Sequence, residues 1–186
     1  VNTKEIILSN AKDLISEIGF HKTTTALLAK RANISEGTIY RHFESKEDVL
    51  LHILEDLESK YVEFIDTVRL ESPYNELSLE KVLKKHFEFV QHNEEDIKIM
   101  LSTYSILKTS RRLMDSVTLR LREFFEELLT RGKEQGVLRD APAPQTAWML
   151  VVFMFGLSRA QLYWPELSDL SDEAVEFCRR SLAVEA

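Results

Sequence analysis

Val49, Leu50, Ile53, Leu54, Leu57, Tyr61, Phe64, Ile65 and Val68 recur at three- and four-residue intervals through a stretch without glycine or proline. Only a helix puts all nine on one face, because a strand would throw every second residue to the opposite side. Such a seam must be buried against other helices. The rest of the chain keeps the same period, and no segment shows the sustained alternation or β-branched runs of a sheet. The expectation is an all-α fold.

The stripe Ile7, Ala11, Leu14, Ile15 and Ile18, closed by Gly19, predicts a first helix over residues 3–18. A second, short helix is expected after Thr25, read as its cap, and ends near residue 32. Asn33 then supplies a turn in which positive φ is tolerated. Ser35 is placed to cap a third helix over 36–42, with Ile39 and Phe43 pointing inward. Ser45 with Asp48 resembles a capping box and starts the long fourth helix. Ser72-Pro73 interrupts the pattern. Amphipathic segments follow at about 78–91, 96–107 and 110–135, and Gly136 closes the last. A strongly apolar helix over 145–163 and a final helix over about 172–183 flank Trp164-Pro165.

Charge is unevenly shared. The net charge of -7 disfavours a polyanionic partner until it is divided along the chain. Residues 1–50 carry seven Lys/Arg and seven Asp/Glu, whereas 51–186 hold the other 17 basic and 24 acidic groups. Within 20–46, Lys22, Lys30, Arg31, Arg41 and Lys46 meet only Glu36 and Glu44, a local excess suited to phosphates. Cys178, the single cysteine, has no partner for a disulfide and no metal-site spacing, so a free buried thiol in a reducing cytoplasm is expected. The longest apolar run, 147–157, is too short to span a bilayer, and the polar start does not resemble a secretory signal; no membrane association is expected.

The stretch TTALLAKRANISEGTIYRHFESK, residues 24–46, combines a frame with an exposed face. Leu28, Ala29, Ile34, Ile39 and Phe43 supply a small core for two helices that meet at a tight turn. Thr25, Tyr40 and Lys46 stand near helix ends, where hydroxyls, an ammonium and free amides meet phosphate oxygens. Ser35, Glu36, Gly37, Thr38, Arg41 and His42 belong to a recognition helix that can approach base edges in the major groove.

This segment resembles the helix-turn-helix of the TetR family of transcriptional regulators. Thr24-Thr25, Leu28-Ala29, Ile34-Ser35, Gly37-Thr38-Ile39-Tyr40, His42-Phe43 and Ser45-Lys46-Glu47 match its pattern in order, and Asn33 departs from it where the family usually has Gly. A weaker echo lies in Gly136-Val137-Leu138-Arg139, Pro144, Ala147 and Gly156-Leu157. The resemblance implies an N-terminal three-helix DNA-binding domain over 1–46. It also implies a C-terminal helical bundle over 47–186 for ligand binding and dimerisation. The expected partners are a double-stranded, palindromic DNA operator, a second copy of the chain and a small apolar or amphipathic effector that releases a repressor from DNA. In such a family the last two long helices pair between subunits, and the very apolar 145–163 helix needs burial on more than one face.

Many body aromatics must be plain core, but an effector cavity would draw walls from Phe64, Phe87, Tyr104, Phe124, Trp148 and Phe153. Arg159 reads as an interface residue rather than a ligand anchor. His86 and His92, six apart, fall on different helical faces and make no metal pair, so both are expected to be solvated. No nucleophile elbow, Gly-rich phosphate loop or metal motif is present, so neither catalysis, a catalytic residue, a metal nor a cofactor is expected. The rival reading is a DNA-binding regulator with no effector, or one answering a protein partner.

Overall fold

The computed structural model describes residues 2–71, 76–167 and 169–184, and among these there are nine α-helices, one 3-10 turn and no strand. The expected break at Ser72-Pro73 lies outside the described residues. Two compact units emerge, one formed by residues 1–59 and 93–114, the other by 60–92 and 115–186.

In the first unit, helix α1 (Thr3–Ile18) begins with a capping box. The Asn2 side chain accepts from the Lys4 amide at 3.2 Å, and the Glu5 carboxylate accepts from the Asn2 amide at 3.1 Å. Its stripe of Ile7, Ala11, Leu14 and Ile15 is buried, while Ile18 at the helix end stays exposed. Gly19 stops the helix at φ 81°, ψ 155°, an extended mirror-image conformation rather than the left-handed helical one.

Helix α2 (Thr25–Arg31) is capped by Thr24, not by Thr25: the Thr24 hydroxyl accepts from the Leu27 amide at 3.2 Å. Thr25 is thereby the first helical residue, with its hydroxyl free for other work. Asn33 takes φ 53° in the turn, and Ser35 caps helix α3 (Glu36–Tyr40) by accepting from the Thr38 amide at 3.1 Å. Arg41 ends α3 two residues before the sequence expectation. Leu28, Ala29, Ile39 and Phe43 are buried and Ile34 half-buried, so α2 and α3 share the small core expected of them.

Helix α4 (Lys46–Glu71) starts with Ser45 accepting from the Asp48 amide at 3.1 Å, while the Asp48 carboxylate reaches back to the Glu44 amide at 2.9 Å. Its seam is buried except at Phe64, which is half-buried. Also in the first unit, helix α6 (Glu94–Thr103) packs on α1, where the buried carboxylate of Asp96 accepts from Lys12 Nζ at 2.7 Å. It stops at Thr103, whose hydroxyl is drawn into the buried pair with Ser110 at 2.7 Å.

The second unit joins helix α5 (Glu76–His92) to helix α9 (Leu170–Leu182) and to helix α8 (Ala143–Tyr163). Helix α7 (Lys108–Glu134) buries Leu121, Phe124, Phe125 and Leu128. An isolated bridge between Leu138 and Ala183 pins the α7–α8 connection to the end of α9, with the Arg139 amide donating to the Leu182 carbonyl at 2.8 Å. Gly132 makes room for this connection, because a Cβ there would collide with the Leu138 side chain. Helix α8 buries Ala147, Leu150, Val151, Met154 and Ser158 and leaves Met149 and Val152 exposed on the other side. No described helix is long and apolar enough to cross a membrane.

Candidate nucleic-acid interface

The helix-turn-helix presents one polar face. Thr25 Oγ1 donates to Glu36 Oε2 at 2.9 Å and lies 3.2 Å from the Tyr40 hydroxyl. Because threonine has one proton and the carboxylate takes it, the Tyr40 hydroxyl is the donor in the second contact. Tyr40 is 55% exposed and can turn that proton toward another acceptor at little cost. A second string runs from Arg41 Nη2 to Thr38 Oγ1 at 3.2 Å and on to Ser35 Oγ at 2.9 Å. Glu36, Gly37, Arg41 and His42 are exposed beside it. At Gly37 an added Cβ would meet only Ser35 Oγ, at 3.7 Å, so the fold does not demand glycine there; the bare backbone leaves room for a close approach from outside.

Thr23, Thr24, Thr25, Tyr40, Ser45 and Lys46 line an open concavity, with Glu44 and Glu47 at its edge. Its hydroxyls and the first amides of α4 are donors of the kind that hold a phosphate. Lys46 behaves differently from the sequence expectation. Its ammonium donates to the carbonyls of Phe20 at 3.1 Å, His21 at 3.4 Å and Thr23 at 3.1 Å, and stands 4.5 Å from the Phe20 ring centre. All three protons are used inside the protein, and what they hold is the loop between α1 and α2. Arg31 is likewise engaged: it makes a bidentate pair with Glu17 at 2.6 and 2.5 Å, which raises the guanidinium's affinity for its proton and lowers that of the carboxylate. The positive excess read from the sequence therefore narrows to Lys22, Lys30 and Arg41.

The six aromatics named as cavity walls lie in different surroundings. Phe87 and Phe124 are buried in the second unit, where the Arg69 guanidinium lies 5.9 Å from the Phe124 ring centre. Trp148 and Phe153 are exposed on α8, with Arg122 5.8 Å from the Trp148 ring. Tyr104 belongs to the first unit and faces Arg111 at 5.8 Å. Phe64 is half-buried and meets Tyr61 edge-on at 5.2 Å.

His86 is buried, not solvated: its Nδ1 lies 2.8 Å from the Tyr61 hydroxyl and its Nε2 lies 2.9 Å from Ser158 Oγ. Burial pulls the imidazole down to about 3 and raises the Tyr61 phenol, so both are neutral. The signal was present, because Leu79, Leu83, His86 and Val90 share one helical stripe. His92 is exposed as expected, and so is Arg159. Cys178 is buried, which pushes its thiol up to about 11. No group of three or more His, Cys, Asp or Glu is placed to hold a metal among the described residues.

Residues 7–53 match the family of bacterial regulatory proteins called tetR. The fatty acid metabolism regulator protein of Bacillus subtilis is 25% identical over 136 residues, covering 72% of this chain and 70% of that protein. The HTH-type transcriptional regulator QacR of Staphylococcus aureus is 37% identical over 87 residues, which is 42% of this chain and less than half of QacR, 46%. The solved complex of SmeT, from Stenotrophomonas maltophilia, with triclosan shares the fold at TM-score 0.80 and 22% identity, over 99% of this chain and 93% of SmeT. With its matched N-terminal segment, its exposed recognition helix and its helical body, the chain is similar to the transcriptional regulators of the TetR family, whose N-terminal model covers residues 7–53.

Proposed function

We propose that this chain is a cytoplasmic repressor that binds a palindromic operator as a homodimer and is released from it by a small apolar or amphipathic effector. In this reading residues 1–46 form the DNA-binding domain and 47–186 bind the effector and the second subunit. The observation that carries it is the preformed face of α3: Ser35, Glu36, Gly37, Thr38, Arg41 and His42 stand ready for a major groove, with Thr25 and Tyr40 beside them for phosphates. Lys46 acts here by holding the α1–α2 loop.

Dimerisation is supported by a continuous apolar surface in the second unit. Met149 is 71% exposed and Val152 66% on α8, Phe177 is 63% exposed on α9, and the Phe153 and Phe177 rings lie 5.9 Å apart, joining the two helices into one patch. Gly156 is exposed within this stripe with open space at its Cβ, which permits close helix approach. A patch of this kind on a soluble chain marks an interface. Two heads about one DNA turn apart then read two half-sites. Effector binding is supported by the likeness to SmeT, solved with triclosan. By linkage, an effector that weakens operator binding is itself bound more weakly when operator is present.

The test is titration of the chain against its own upstream DNA across a salt series, together with sedimentation. Tight, salt-sensitive binding to one segment is expected, weakened roughly tenfold by Tyr40→Ala. Val152→Asp is expected to yield monomers that lose the operator. Operator binding by a monomer, or indifference of all bound DNA to Tyr40→Ala, overturns the reading.

A further inference from the structure

The Tyr61–His86–Ser158 string lies wholly in the second unit and none of its distances exceeds 2.9 Å. Two helices of the apolar bundle and the upper part of α4 each contribute one polar group to it. Stability does not explain it, since apolar side chains of similar volume commonly serve a core as well or better. Its protons are more informative. A neutral imidazole has one N–H and one lone pair, so it donates to one hydroxyl and accepts from the other. If Tyr61 donates to Nδ1, then Nε2–H donates to Ser158, and the serine's own proton is left over. With the other tautomer, Ser158 donates to Nε2, Nδ1–H donates to Tyr61, and the phenolic proton is left over. Either way one buried hydroxyl ends the string as a donor with no acceptor among the described residues. Such a donor is costly to leave unmet.

What surrounds it is aromatic. Tyr61 takes Phe64 and Phe89 edge-on at 5.2 and 4.9 Å, and those two rings stack on each other at 5.9 Å. Both are half-buried, so the stacked pair is reached by solvent beside the buried string. Phe155 lies 5.9 Å from the imidazole at the middle of the string. No charged side chain forms a hydrogen bond or ion pair with the string among the described residues, which disfavours an ionised ligand there.

We propose that the leftover hydroxyl of the Tyr61–His86–Ser158 string is the polar recognition point for an uncharged aromatic effector bearing a carbonyl-type acceptor, which enters beside the Phe64–Phe89 pair. The rings take the flat apolar body, and the string turns its odd proton to the acceptor oxygen. Since the imidazole can exchange tautomers, the string can present that donor at either end. This inference rests on the reading of the second unit as the effector-binding body.

The probe is prodan, a neutral fluorescent naphthyl ketone whose emission reports hydrogen bonding at its carbonyl, compared with its ketone-free parent, dimethylaminonaphthalene. Both are titrated into the full chain, into Tyr61→Phe, into Ser158→Ala and into the double variant, each checked for cooperative unfolding and for operator binding. Saturable prodan binding is expected, weakened roughly tenfold in the double variant and in at least one single variant, with a blue shift as the carbonyl loses its donor. The parent compound is expected to bind all four proteins alike. Equal weakening of both compounds, prodan binding indifferent to the hydroxyls, or no prodan binding by the unaltered chain overturns the proposal. Operator binding separates this failure from the larger one: a chain that binds operator but fails the prodan test remains a regulator, whereas one that binds no operator loses the regulatory reading regardless of prodan.

Discussion

The two units each hold a three-residue string of hydrogen bonds, and the strings differ in what water can do for them. In the first unit Thr25, Glu36 and Tyr40 bond to one another at an exposed face, so any member can exchange its partner for water or for a phosphate at little cost. In the second, Tyr61, His86 and Ser158 bond in a buried site, where a broken contact leaves a desolvated group. The first arrangement suits a face that must rebuild its contacts on a polyanion. The second suits a site that holds one shape until a molecule arrives that can take over its bonds. A regulator of the proposed kind needs both kinds of polar structure, and here they are kept in separate units.

The contrast is tested most severely at Lys46, a half-buried cation in the unit of exposed strings. Three loop carbonyls converge on one ammonium, and a planar guanidinium does not fit that arrangement. Lys46→Arg and Lys46→Ala are both expected to lose about 3 kcal/mol of stability, read from chemical denaturation. They should also weaken operator binding strongly while leaving its salt slope unchanged. A phosphate ligand behaves otherwise: arginine would substitute well, and alanine would lower the slope by about 0.9. That pattern would return Lys46 to the DNA-contacting face and blur the distinction between its enclosed role and the exposed strings.

A somewhat smaller effect is expected at His86. Its proton affinity is lowered on folding from the ordinary 6.5 to about 3, so between those values the unfolded chain binds a proton that the folded chain refuses. The contribution is therefore fully present above about pH 6.5 and falls as pH drops toward 3. By pH 5 the loss amounts to about 2 kcal/mol. His86→Gln keeps hydrogen-bonding capacity but does not titrate, and its stability should change less between pH 7.5 and 5 by about that amount. Equal pH dependence in the two proteins would mean that the imidazole is not held neutral, and the odd-proton argument would fall with it.

The same contrast explains how much was legible in the sequence. Local features were: the first helix falls on residues 3–18 as expected, Asn33 takes its positive φ, and Ser35 caps α3, because each depends on neighbours a few residues away. The cap of α2 shifted from Thr25 to Thr24 because two adjacent threonines offer the same hydroxyl, and only the backbone angle at the helix start chooses between them. The hold of Lys46 on the α1–α2 loop was not legible because its partners lie 23 to 26 residues away, on carbonyls that no side-chain pattern reveals. The burial of His86 was legible, because it shares a helical stripe with Leu79, Leu83 and Val90, and its spacing to His92 bears only on metal binding. The aromatic residues were legible as apolar, but which of them sit together depends on packing across several helices.

The smallest effect separates two arginines of the same unit. Both were counted in one positive excess, yet Arg31 is locked bidentately onto Glu17 whereas Arg41 makes a single 3.2 Å contact to a hydroxyl and is exposed. An arginine already paired with a carboxylate releases few counterions on meeting DNA, because the carboxylate has neutralised it beforehand. A lightly held one releases close to a full ion's worth. Arg41→Ala is therefore expected to weaken operator binding up to roughly tenfold and to lower the salt slope by about 0.9. Arg31→Ala should leave the slope unaltered, with any loss of affinity traceable to the loosened α1–α2 contact and visible in thermal unfolding. Reversed slopes would show that the Arg31 pair opens on DNA, and that an exposed ion pair can be rebuilt on phosphates as readily as the Thr25–Glu36–Tyr40 string.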